Sequence, residues 1–213
     1  MLFISIIALF PVINPIGSAL IVNPHLSKLT IHERRLAVRK ITLYAFSICV
    51  VSLFAGHFIL ELFGISIPVI QLAGGIIICK MGWVALSEKE NSQNEDKNIN
   101  ELKDDSFKNL NNKLFYPLTF PITTGAGTIS VLFTLSAHST NVHWTEYLIN
   151  TSAVLLSIFF MCFLIYFFYR NTNRIIKRLG TNGQTIANRF IAFLIFCVGL
   201  QIAVTGIKNL FKI

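Results

Sequence analysis

No aspartate or glutamate stands inside any long apolar run of this 213-residue chain, and charged residues make up only 13% of it. A carboxylate at membrane depth is the usual mark of a proton relay, so its absence argues against proton antiport through mid-membrane acids. Catalytic signatures are missing too: there is no H-E-x-x-H and no G-x-S-x-G, and His57 is the only histidine within an apolar run. With so little acid–base or nucleophilic chemistry on offer, an enzyme is not expected. No catalytic residue, metal ligand or cofactor site is assigned. The four cysteines, Cys49, Cys79, Cys162 and Cys197, each stand alone in apolar sequence. Without paired spacing they read as small buried hydrophobes.

What is present is apolar surface. Hydrophobic residues make up 54% of the chain and mean hydropathy is +0.65, more than a soluble core of this size could hide. The net charge of +8 could suggest a nucleic-acid partner, but the basic residues fall in short breaks between uncharged runs. Nucleic-acid binding needs them gathered on one soluble face, so the expected surroundings are membrane lipid and no nucleic acid.

A membrane-spanning helix needs about 20 mostly apolar residues to cross a core about 30 Å thick. Six runs qualify: Met1 to Val22, Ile41 to Leu60, Ile65 to Leu86, Leu114 to Ala137, Tyr147 to Tyr169 and Phe190 to Ile207. The first lacks a basic start and a small-residue cleavage site, and Asn14, Pro15 and Gly17 interrupt it, so it is read as a span rather than a secretory signal. The expected fold is therefore all-α integral membrane, with six transmembrane helices. Residues 1–86 hold the first three, 87–113 form a linker and 114–213 hold the last three.

Lysine and arginine in short loops stay on the cytoplasmic side. The loop after the first run carries Lys28, Arg34, Arg35, Arg39 and Lys40, and the one before the last carries Arg170, Arg174, Lys177, Arg178 and Arg189. The 87–113 linker mixes five lysines with seven carboxylates and reads as a solvated cytoplasmic tether. With Lys80 snorkelling to the inner face, only Lys208 and Lys212 of the eighteen basic residues are left outside. Both termini are accordingly expected outside.

Because each half has an odd number of spans, homologous halves must be related as inverted repeats. The first span reads Pro11-Val-Ile-Asn14-Pro15-Ile-Gly17, and the fourth contains Pro117, Pro121, Thr123, Thr124, Gly125, Gly127 and Thr128. Each has prolines four apart followed by glycine. Gly75 and Gly82 in the third span match Gly199 and Gly206 in the sixth at one offset. Proline removes a helix hydrogen bond and glycine eases departure from helical geometry, so helices 1 and 4 should break near mid-membrane. Paired broken helices at corresponding positions point to a transporter site, and a half-helix N-terminus suits a carboxylate or other anion. The candidate substrate-binding residues are Asn14, Pro15, Gly17, Pro121, Thr123, Thr124, Gly125, Gly127 and Thr128. Gln71 and Gln201 are expected to bond neighbouring helices, and His57 with Glu61 to form an interfacial pair four residues apart.

The N-P-I-G of Asn14 to Gly17, the F-G-I-S-I-P of Phe63 to Pro68, the A-G-G-I of Ala73 to Ile76 and the P-x-x-x-G-x-G-T-I of Pro121 to Ile129 resemble the MarC family of bacterial inner-membrane proteins. Ala126 stands where that family usually has proline, a departure expected to soften the second break. The resemblance implies six membrane helices, a bacterial inner-membrane location and transport of small neutral amino acids. The expected function is thus a small secondary carrier with a small-molecule substrate. A non-transporting membrane scaffold or regulatory protein is the alternative. Apolar helix faces serve lipid and the partner subunits of a homo-oligomer alike.

Overall fold

The computed structural model describes residues 1–27, 29–87, 114–139 and 144–211. Helices α1 (Leu2–Ile13) and α2 (Pro15–Ser27) form the first span, with Asn14 alone between them. Helices α3 (Ile31–Leu62) and α4 (Ile67–Ser87) follow. Helices α5 (Leu114–Thr123) and α6 (Ala126–Ser139) meet at an angle of 64°, and α7 (Trp144–Phe211) carries two apolar arms, Thr145–Ile176 and Thr185–Phe211. Apart from Ser87, the linker expected at 87–113 lies outside the described residues.

Among the described residues, five helices are long and apolar enough to cross a bilayer, and six when α5 and α6 count as one bent span. Contacts along α3 give the direction of this pair. Phe115 at the start of α5 stacks edge-on against Tyr44, whereas Phe133 in α6 packs against Gly56. Those positions on α3 are about 18 Å apart at 1.5 Å per residue. The pair therefore advances along α3 instead of turning back. Despite Ala126, the second break is sharp.

The remaining directions follow in the same way. Ser157 donates to the Leu2 carbonyl at 3.2 Å, and Tyr169 lies beside Ser18, so the first arm of α7 runs parallel to α1 and α2. Helix α4 and the second arm of α7 are antiparallel: Gly75 faces Gly199 and Ala203, Gly82 faces Phe196, and Gly206 faces Leu72. A Cβ on Gly75 would sit 2.4 Å from the Ala203 nitrogen, so the backbones touch. Close approach through small residues is how helices associate where lipid removes the hydrophobic drive. Helix α6 is held similarly, by Gly56 of α3 on one side and by Gly74 of α4 on another, where Ser130 donates to the Ile70 carbonyl at 3.1 Å.

Large apolar side chains cover the outer faces. Phe3 is 77% exposed and Phe58 is 70% exposed, an arrangement costly in water and ordinary against lipid chains.

Two boundaries differ from expectation. Helix α3 starts at Ile31, well before Ile41, because Thr30 and Glu33 form a reciprocal capping box: the Glu33 amide donates to the Thr30 hydroxyl and Glu33 Oε2 accepts from the Thr30 amide at 3.0 Å. The segment between the arms of α7 is helical rather than looped, interrupted at Gly180 with φ of 64° and ψ of 178°. Only glycine adopts that backbone readily. The cysteines also divide: Cys49 and Cys162 are buried, Cys79 is half-buried and Cys197 is exposed.

Candidate functional site

The first break is built around Asn14. Pro15 cannot donate a hydrogen bond and disfavours right-handed helix in the residue before it. Asn14 accordingly turns left-handed, with φ 45° and ψ 66°, a conformation asparagine tolerates better than most residues. It closes α1 by donating its amide to the Phe10 carbonyl at 2.9 Å, and it opens α2 by accepting from the Gly17 amide through Oδ1 at 3.0 Å. Its own carbonyl accepts from both the amide and the hydroxyl of Ser18. Pro15 then occupies the first helical position, where its fixed φ is an advantage. A Cβ on Gly17 would lie 2.2 Å from the Asn14 side-chain nitrogen, so this cap requires glycine.

Asn14→Ala should lower stability by about 2 kcal/mol, combining a lost cap with a left-handed conformation forced on alanine. Asn14→Gly should cost a fraction of that. Equal thermal midpoints for the two variants in detergent would refute this account.

At the second break, Tyr116 and Phe120 each precede a proline and are extended, with φ and ψ of −120° and 125°, and −113° and 123°. Threonines two residues beyond each proline bond back to carbonyls of this irregular segment. Thr119 donates its hydroxyl to the Leu114 carbonyl at 2.6 Å and Thr123 to the Leu118 carbonyl at 2.7 Å. Thr124 donates its amide to the Thr119 carbonyl at 2.9 Å, and its hydroxyl lies 3.3 Å from the same oxygen. Gly125 then lets the chain turn where a Cβ would meet the Pro121 carbonyl at 3.0 Å.

The first hydrogen bond of α6 runs from the Ile129 amide to the Gly125 carbonyl. The amides of Ala126, Gly127 and Thr128 therefore precede the helix's own bonding pattern, and they sit at the positive end of its dipole. The Thr128 hydroxyl is fully buried and has no hydrogen-bond partner.

The fold brings the two breaks together. A Cβ on Gly127 would lie 3.0 Å from Val12 Cγ1 and 2.9 Å from Ile78 Cγ1, placing the first turn of α6 against the last turn of α1. Tyr169, wholly buried on the first arm of α7, spans the join. Its hydroxyl is 2.8 Å from the Thr123 hydroxyl and also contacts Ser18. Of the sequence-derived residues, Pro15, Gly17, Thr123, Thr124, Gly125, Gly127 and Thr128 are buried, Asn14 is half-buried and Pro121 is exposed. Their roles separate: Asn14, Thr123 and Thr124 spend hydrogen bonds on the backbone or on Tyr169, while Thr128 keeps a free hydroxyl. Tyr169 was not among the candidates, and nothing near it in the chain singles it out.

Other polar residues fall outside this region. Gln71 is buried and accepts from Asn209 Nδ2 at 3.1 Å, whereas Gln201 is exposed. His57 and Glu61 approach to 3.7 Å with the glutamate 73% exposed, as an interfacial pair would.

These helices define a polytopic membrane protein whose first and fourth spans are broken side by side. The sequence model for MarC family integral membrane proteins matches residues 1–211, so the chain belongs to the MarC family. It is 27% identical over 216 residues to the inner membrane protein MarC of Escherichia coli and to that of Shigella flexneri, covering 98% of this chain and 95% of each relative. A multi-pass inner-membrane protein is the class these relatives share with it. No solved structure matches.

Proposed function

We propose that this protein is a secondary carrier of small solutes, and that small neutral amino acids are its substrates. The observation that carries the reading is the convergence of the breaks: Gly127 beside Val12, Tyr169 joining Thr123 to Ser18, and an unbonded Thr128 hydroxyl in the first turn of α6. Irregular backbone at membrane depth survives where it is buried in protein or lines a cavity. The α6 N-terminus suits a substrate carboxylate. A substrate with no net charge fits spans that carry no acidic residue.

In this reading the halves are inverted repeats that rock about the site. Antiparallel α4 and second α7 arm, with their matched glycines, are the contact that supports such symmetry. Burial of most of these residues suits an occluded stage of such a cycle. The orientation with both termini outside belongs to the same proposal.

The test is uptake and efflux of labelled alanine, glycine and serine by purified protein in proteoliposomes, with and without ion gradients. Movement of at least one is the expected result, and movement of none under any gradient defeats the amino-acid reading. Thr128→Val removes a hydroxyl that has no partner, so stability should hold while apparent substrate affinity drops roughly tenfold. Unchanged affinity would remove Thr128 from the site.

A further inference from the structure

Away from the breaks, at the end of two neighbouring spans, lies a cavity of about 320 Å³ whose lining includes Arg34, Arg35, Arg170, Tyr166, Ile31 and Val38. Arg34 and Arg35 come from the first turns of α3, and Arg170 from the end of the first arm of α7. Three guanidinium groups thus share one concave surface at interfacial depth. Nothing acidic offsets them: among the described residues, none of the three pairs with a carboxylate, and nearby Glu33 is committed to the Thr30 cap.

Their hydrogen bonds leave charge to spare. Arg34 donates through Nη2 to Asn23 Oδ1 at 3.2 Å and to the Tyr169 carbonyl at 3.1 Å, both neutral acceptors, and its Nε has no partner. Arg170 donates to the Tyr166 hydroxyl at 3.2 Å and lies 5.9 Å from the centre of that ring, which fixes its position without neutralising it. Like charges held together without a counter-ion repel one another, an arrangement that favours an anion from solution or membrane.

We propose that Arg34, Arg35 and Arg170 form a site for a phosphate-bearing anion, and that its occupant in the membrane is the headgroup of an anionic phospholipid. Planar guanidinium forks match the oxygens of a phosphate and bind it through paired, charge-assisted hydrogen bonds. The apolar side of the cavity, Ile31 and Val38 with the ring of Tyr166, suits the glycerol and first acyl carbons of a lipid rather than a free ion. Basic pockets between transmembrane helices at the membrane surface are where such headgroups bind. The site stands independently of the transport reading, since it shares no ligating residue with the breaks.

The experiment titrates the purified full-length protein in detergent with short-chain phosphatidylglycerol and, separately, with inorganic phosphate, counting bound adducts by native mass spectrometry. Arg35→Gln with Arg170→Gln should weaken phosphatidylglycerol binding roughly tenfold or more. Arg39→Gln with Arg174→Gln removes the same charge from exposed positions outside the cavity and should leave binding near the wild-type value. Arg35→Lys with Arg170→Lys keeps the charge but loses the forks. It should give an intermediate loss, which separates a binding defect from misfolding. Inorganic phosphate binding with the same arginine dependence, in the absence of lipid binding, would make the occupant a free phosphate. Equal weakening by the cavity pair and the control pair, or binding of neither ligand, overturns the proposal.

Discussion

Replacing Gly127 with leucine is expected to abolish flux in proteoliposomes while the protein still inserts and purifies as a folded species. The reason is local: even a Cβ at this position would press on Ile78 Cγ1 at 2.9 Å and Val12 Cγ1 at 3.0 Å. Both contacts are side-chain methylenes or methyls, so the helices can yield, but only by moving apart at the point where the two breaks meet. Overpacking of this kind costs about 1–3 kcal/mol, and if that cost falls on one stage of the cycle the rate drops roughly ten- to hundredfold. Gly127→Ala should sit between the variant and the wild type. Wild-type flux from the leucine variant would show that this close approach plays no part in transport.

Gly75→Leu should have the largest effect on stability. Here the obstacle is backbone: a Cβ would fall 2.4 Å from the Ala203 nitrogen and 2.7 Å from the Gly199 carbonyl oxygen. Neither atom can rotate away, so α4 and the second arm of α7 must separate along their shared glycine seam. A loss of roughly 3 kcal/mol or more is expected, seen as a much lower thermal midpoint in detergent or as aggregation on extraction. An unchanged midpoint would mean that the seam adds little to the fold.

Much of the architecture was legible in the sequence because lipid imposes one requirement, a minimum apolar length, that composition reports directly. The breaks were legible for a related reason. Proline removes a donor wherever it sits, so Asn14-Pro15 and the run from Pro117 to Gly125 mark where helices stop. Less visible were features made by polar residues in helical positions. The first turns of α3 carry His32, Glu33, Arg34 and Arg35, so hydropathy delayed the start to Ile41, although the Thr30-x-x-Glu33 spacing of a capping box was available.

Thr123 of the second break was read as a ligand, yet its hydroxyl bonds to the Leu118 carbonyl as that of Thr119 bonds to Leu114, a role written in the repeated P-x-T spacing of Pro117 to Thr119 and Pro121 to Thr123. Tyr169 could not have been found: its partner Thr123 is 46 residues distant. Tyr169 stands at the end of an apolar run, where an aromatic residue is commonplace at a membrane boundary. Cys197 was misplaced because positions facing lipid and positions facing protein carry the same apolar chemistry, and only the packed fold separates them.

Asn14 gives the site a lopsidedness that a pair of equivalent halves would not have. Its join is closed from within: Phe10, Gly17 and Ser18 all bond to this one residue. The join before α6 leaves three amides outside the helix's own bonding pattern and the Thr128 hydroxyl without a partner. Under the transport reading the two breaks therefore divide the labour, one serving as a sealed pivot and the other as the grip. A bound solute would be carried with the second half as it tilts, and the first half would slide past as the moving wall that opens it to either side.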